Sequence, residues 1–117
     1  PVRIERLHGE RMVMREPGST TRRALDAALA KARVAPKVAM ELGSREAIIE
    51  AVAQGVGIGS VSEAAWRPDT RIRAARLSNA SVWSETHVAC LASRREARAV
   101  AAFLGAAREV AKRSDRM

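Results

Sequence analysis

The sequence predicts an α/β domain in which helices pack on a sheet. Two observations carry this. Apolar runs that read as strands are twice followed by a sharp turn and then an amphipathic helix. The apolar residues are mainly Val, Ile, Leu and Ala, with aromatics at only 3% of the chain, as in packed α/β layers. The 117 residues suffice for one domain with a modest core.

The elements follow in order. Residues 1–11 are polar, with Val2, Ile4 and Leu7 scattered among them, and read as a connecting segment. Met12-Val13-Met14 opens a first strand over residues 12–16. Residues 20–33 form a helix with Ala24, Leu25, Ala28, Leu29 and Ala32 on one face. Val34-Ala35-Pro36 is a turn. Residues 38–42 alternate like a half-buried second strand. Residues 45–54 form a second helix on Ala47, Ile48, Ala51 and Val52, which Gly55 ends as a left-handed residue. Residues 58–62 read as a short third strand buried on both faces.

Glycines 55, 57 and 59 do not make a dinucleotide loop, which needs strand, glycines and helix in that order. Here a helix precedes them and a strand follows, so they serve a tight return into the sheet. Beyond a Pro68-Asp69 turn, residues 72–77 and 86–92 read as strands. Residues 79–84 form a loop from which Trp83 covers a core edge. Ser93 and Glu96 make a capping box for the longest helix, over residues 94–112. Its stripe is Ala97, Val100, Ala101, Leu104, Ala107 and Ala111. Residues 114–117 fray.

Composition excludes several functions. The formal charge is +8, but the 18 Arg and 3 Lys are dispersed and no aromatics are interleaved to stack bases, so a dedicated nucleic-acid surface is not expected. No apolar run approaches the roughly 20 residues of a membrane span. There is no signal peptide, and the start at Pro1 reads as a processed product or a fragment. Cys90, the only cysteine, sits in an apolar run and reads as a buried, reduced thiol of a cytoplasmic protein. His87 is three residues away on the opposite strand face, and His8 reads as solvated. No metal-ligand cluster and no cofactor motif emerge.

Residues 15–22, Arg-Glu-Pro-Gly-Ser-Thr-Thr-Arg, carry the chemistry. Pro17 and Gly18 turn the chain sharply. Ser19, Thr20 and Thr21 then bring hydroxyls to the end of a helix whose first N–H groups are unpaired. Such a site suits a carboxylate, phosphate or phosphonate, although a hydroxyl residue there also serves as a plain helix cap. Gly43-Ser44 forms a second hydroxyl-bearing strand-to-helix junction. Ligands of open α/β sheets lie at the carboxyl ends of the strands, so two such junctions can share one.

Three segments then fall into a known order: Arg15-Glu16-Pro17-Gly18-Ser19-Thr20-Thr21-Arg22, Glu41-Leu42-Gly43-Ser44-Arg45-Glu46-Ala47 and Ala53-Gln54-Gly55-Val56-Gly57-Ile58-Gly59. Together they resemble the effector-binding domain of LysR-type transcriptional regulators, over nearly the whole chain from Val2 to Val110. The resemblance implies a fold like the type II periplasmic binding proteins, with two α/β lobes around a small-molecule cleft. Residues 12–85 would be the second lobe, a mixed sheet flanked by helices. Residues 86–117 would be the return crossover strand and a C-terminal helix belonging to the other lobe.

On the family pattern Ser19 and Thr20 meet the ligand anion, Gly43 and Ser44 line the cleft floor, and Ser62 and Glu63 face the hinge. The effector is then a small anion. The motif looks most like the subgroup associated with 2-aminoethylphosphonate breakdown, with Glu16 or Glu63 meeting the ammonium. DNA would be read only by an N-terminal winged helix-turn-helix, which this sequence lacks, as it lacks most of the first lobe. The stripe of the last helix would be covered by a second copy, making a homo-oligomer. A transport solute-binding protein is the alternative reading. An enzyme would need Ser19, His87 and Glu63 as a triad, and nothing in the sequence orders them.

Overall fold

The computed structural model describes residues 1–114; residues 115–117, in the segment expected to fray, lie outside the described residues. The chain divides into two units, Pro1–Ser84 and a second that begins at Glu85.

The first unit is a mixed α/β layer structure with a parallel sheet flanked by helices. Strand β1 (Arg11–Arg15) is central, between β2 (Lys37–Leu42) and β3 (Ile58–Gly59), in the order β2-β1-β3. Its residues Met12, Val13 and Met14 are all buried, as expected of a parallel strand covered on both faces. Met12 and Met14 join Leu25 and Leu29 of α1 (Thr20–Ala32) in one core cluster. Val13 and Ile48 of α2 (Arg45–Ala53) are buried outside that cluster. The connections run from β1 to β2 and back across β1 to β3, and with the usual right-handed crossovers this order puts α1 and α2 on opposite faces of the sheet.

Both helices end in paired left-handed turns. After α2, Gly55 takes φ 77°; its N–H donates to the Val52 carbonyl and the Val56 N–H to that of Ala51. After α1, Arg33 does the same without glycine, at φ 55°. Its N–H donates to the Ala30 carbonyl at 3.0 Å and the Val34 N–H to that of Leu29 at 2.9 Å. Leu29 and Val34 are both in the core cluster, so an apolar contact seals the turn.

The tight return to β3 needs its glycines. A Cβ on Gly57 would collide with the Arg11 carbonyl of β1, and one on Gly59 would lie 2.6 Å from Ile48 Cγ2 and 2.9 Å from Val52 Cγ2.

Several expectations are corrected. Residues 1–11, read as a polar connecting segment, contain a 3-10 turn, Ile4–Leu7, that buries Ile4 and Leu7 in the core cluster. Strand β2 is exposed along its length except for Leu42, with Val38 at 46% and Met40 at 41%. It is an edge strand. Its register also slips by one residue, Met12 pairing with Val38 but Val13 with Met40, so alternation cannot keep residues 38, 40 and 42 on one face. Strand β3 is only two residues long and Ile58 is exposed, because it is the opposite edge and pairs with β1 only at Met12 and Val13.

Residues 72–77 form no strand; only Leu77 bridges, in parallel, to Val2. There the Val2 N–H donates to the Arg76 carbonyl at 2.7 Å and the Ser78 N–H to the Val2 carbonyl at 2.9 Å. Trp83, expected to cover a core edge, is 83% exposed.

In the second unit the expected strand over 86–92 is absent: residues 86–91 are irregular and Ala92–Arg94 is a 3-10 turn. An alternating pattern makes a strand only where a neighbouring strand takes its hydrogen bonds. Cys90 is consequently exposed, not buried. Helix α3 spans Arg98–Ser114, starting later and running further than the sequence predicts, and Ser93 lies inside the 3-10 turn. Ala97, Val100, Leu104 and Ala107 are half-buried, while Ala101, Ala111 and the neighbouring Phe103 are exposed. Among the described residues no helix is long and apolar enough to cross a membrane.

Candidate functional site

The carboxyl ends of β1 and β2 lie side by side, with Arg15 paired to Leu42 at the end of the ladder. The Glu16 N–H continues it by donating to the Leu42 carbonyl at 3.2 Å. From here one chain segment leaves for α1 and the other for α2, a divergence that in open α/β sheets marks the crevice where ligands bind. Ser19 to Thr21 and Gly43-Ser44 follow directly on the two strand ends, so the structure brings the two junctions to one end of the sheet.

Gly18 turns the chain at φ 91°, and the Ser19 N–H donates to the Glu16 carbonyl at 3.2 Å. Ser19 is the N-cap of α1: its Oγ accepts from the Arg22 N–H at 3.0 Å, and its carbonyl from the Arg23 N–H at 3.0 Å. Ser44 caps α2 in the same way, its Oγ accepting from the Ala47 N–H at 3.1 Å. Both hydroxyls thus do the plain capping job. Each is used as an acceptor and keeps its proton to donate. The N–H groups of Thr20 and Thr21 belong to the first turn of α1, where no helical carbonyl reaches them. Thr20 is exposed and Thr21 half-buried.

Charges ring the junction in balanced pairs. Arg15 donates to both oxygens of Glu16, at 2.8 and 2.9 Å. These bonds hold the Glu16 carboxyl below its ordinary pKa and raise that of the Arg15 guanidinium, to which the field of Glu46 adds. Glu46 itself is held low by its own backbone N–H and then by Arg45, whose Nη2 lies 2.7 Å away. Arg22, whose side chain is 14% exposed, donates from Nε to both oxygens of Asp26 at 3.0 and 2.9 Å, and from Nη1 to the Arg15 carbonyl at 2.8 Å. The same Nη1 lies 3.5 Å from a Glu41 oxygen. The site reading by sequence missed Arg22, Asp26 and Glu41, although the i,i+4 spacing of Arg22 and Asp26 on a helix is a visible signal.

The other candidates stand elsewhere. Ser62 is exposed and precedes a 3-10 turn, Glu63–Ala65, that leaves the sheet from β3, on the far side of β1 from β2. Glu63 is paired with Arg76. His87 pairs with Glu85 at 3.3 Å within the second unit. His8 is not merely solvated: its Nδ1 accepts from the Ala35 N–H at 3.2 Å. Among the described residues no group of three or more His, Cys, Asp or Glu side chains gathers as a metal site. The second unit has two shallow grooves along α3, one apolar (Val88, Cys90, Val100, Phe103) and one flanked by Arg95 and Arg108. Neither includes a predicted site residue.

Comparison with known proteins gives two results. The family profile described as "LysR substrate binding domain" matches residues 1–112. The chain is also similar to the HTH-type transcriptional activator CmpR of Synechocystis sp. (strain ATCC 27184 / PCC 6803 / Kazusa), being 43% identical over 61 residues. That match covers 52% of this chain and 20% of the relative, so it spans about a fifth of the relative's length.

Proposed function

The chain belongs to the LysR substrate-binding domain family, and from that premise we propose that it is the effector-sensing part of a transcription regulator. Its ligand is a small anion, a carboxylate or phosphonate, held at the crevice between β1 and β2. The observation that carries this is the pairing of Arg15 with Leu42, which sets two serine-capped helix starts side by side at the carboxyl end of the sheet. The free N–H groups of Thr20 and Thr21 and the hydroxyl protons of Ser19 and Ser44 are donors, and the helix dipole favours negative charge there. Sensing needs no bond-making: the ligand shifts the regulator only by binding one of its states better than another. That the relative is a transcriptional activator supports regulation over solute transport. DNA contact belongs to a separate domain in this reading, and the apolar side of α3 to contact with another copy.

Within that reading 2-aminoethylphosphonate is the finer candidate. Its phosphonate suits the helix starts. Its ammonium would have to compete for Glu16 with Arg15, which already donates to both carboxylate oxygens. Calorimetric titration with 2-aminoethylphosphonate and methylphosphonate tests both ends of the ligand. Ser19→Asp keeps a good cap acceptor but sets a negative charge at the site. We expect it to abolish phosphonate binding while unfolding stability stays within about 0.5 kcal/mol of the parent. Unchanged affinity in that variant would remove Ser19 to Thr21 from the site.

A further inference from the structure

Arg22 closes the motif that opens at Arg15, and a positive side chain beside a helix start invites the reading that it grips the anion. The geometry gives it a different task. Its Nε is taken by both oxygens of Asp26 at 3.0 and 2.9 Å, one turn further along α1. Its Nη1 is taken by the Arg15 carbonyl, the last of β1, at 2.8 Å, with Glu41 of β2 at 3.5 Å. Its backbone N–H is the one that Ser19 Oγ caps. The side chain is only 14% exposed. One planar guanidinium therefore touches β1, β2 and the body of α1 at once.

We propose that Arg22 is a positioning residue, a clamp that fixes the first turn of α1 against the ends of β1 and β2 so that the Ser19–Thr21 donors converge on the crevice. It does not touch the ligand. A lysine cannot substitute, because a single ammonium on a flexible stem does not present forked donors to Asp26 and the Arg15 carbonyl in fixed directions. The clamp also explains why the cationic group beside the site is neutralised: Asp26 and Glu41 balance it, leaving backbone and hydroxyl donors to meet an anion. The ligand-binding consequence rests on the anion reading above. The clamp itself does not.

The test is Arg22→Lys, measured in two arms. In the first, 15N relaxation is recorded without any anion. The order parameters of the Thr20 and Thr21 amides are expected to fall from about 0.85 to below about 0.6, while that of Ala47 at the start of α2 holds. Unchanged values at Thr20 and Thr21 would overturn the clamp. In the second, inorganic phosphate is titrated while those amides are followed. Phosphate affinity is expected to drop about tenfold in Arg22→Lys, the scale of one charge-assisted hydrogen bond. A control, Arg71→Gln, breaks the ties of Arg71 to Asp69 and Glu50 elsewhere in the unit and should leave phosphate affinity unchanged. Equal loss in the control would reduce Arg22 to a general stabiliser and refute the positioning role. Phosphate that moves no amide at Ser19 to Thr21 in the parent chain would overturn the anion reading, with the relaxation arm still deciding the clamp.

Discussion

Arg33 sits at φ 55°, where its Cβ crowds the backbone and only glycine is at ease. The conformation persists because the turn closes two hydrogen bonds and seals Leu29 against Val34. Arg33→Gly is therefore expected to stabilise the chain by about 0.5–1 kcal/mol, the strain relieved outweighing the added freedom of the unfolded glycine. Urea unfolding checks it, and a loss of stability would mean that the Arg33 side chain contributes more than its backbone costs. The sequence predicts a turn at residues 34–36 but not its left-handed form at Arg33, since the usual signature is a glycine and α1 has none at its end. Gly55, which has that signature, was read correctly. At the candidate site the backbone junctions were legible from Gly18, Ser19, Gly43 and Ser44. The Arg22 clamp was not, because its partners Arg15 and Glu41 are brought to it by the sheet register.

Among the elements, the β-α-β-α-β order of the first unit was legible because each helix carries a full apolar face and each junction a hydroxyl cap. Failures came where an element depends on a neighbour. The alternation of residues 38–42 predicts a half-buried strand, but the slip at Met12 and Val13 of β1 and the edge position decide otherwise. Residues 72–77 and 86–92 carry strand-like patterns, yet the first makes only the single bridge of Leu77 to Val2 and 86–91 are irregular. At the return to β3 the glycine reading holds, and it ranks two substitutions. Gly57→Ala drives a methyl into the Arg11 carbonyl, fixed in the central strand, whereas Gly59→Ala meets the methyls of Ile48 and Val52. Both should destabilise, by about 1–3 kcal/mol, with Gly57→Ala the worse. Thermal unfolding of the two variants decides the order, and a milder effect at Gly57 would mean that β1 yields more easily than a side chain.

At the scale of the molecule, the two units differ in how their cores are made. The first has a buried cluster drawn from the N-terminal 3-10 turn, β1, α1 and Val34. Among the described residues of the second none is buried, and its large apolar side chains Leu91 and Phe103 are 72% and 62% exposed. Composition alone could not separate these cases, because an apolar stripe looks the same whether or not its cover is present. The first unit also uses its polar residues structurally. Asn79 Oδ1 accepts from the Ile4 N–H at 2.9 Å, and its Nδ2 donates to both oxygens of Glu5 at 2.9 and 3.0 Å.

That asparagine, with the bridge between Val2 and Leu77, sets an order of events in time. The contact joins residues 75 positions apart, whereas β1 meets β2 across the much shorter span from Met14 to Glu41. Closing the longer loop costs about 1 kcal/mol more in chain entropy, so it follows the pairing of β1 with β2. Asn79→Ala should then accelerate unfolding and leave the refolding rate nearly unchanged; slowed refolding in stopped-flow would show that the loop closes early. Residues 4–7 are thus the last to be fixed, and Ile4 and Leu7 reach the core only when residues 76–79 arrive to hold them there.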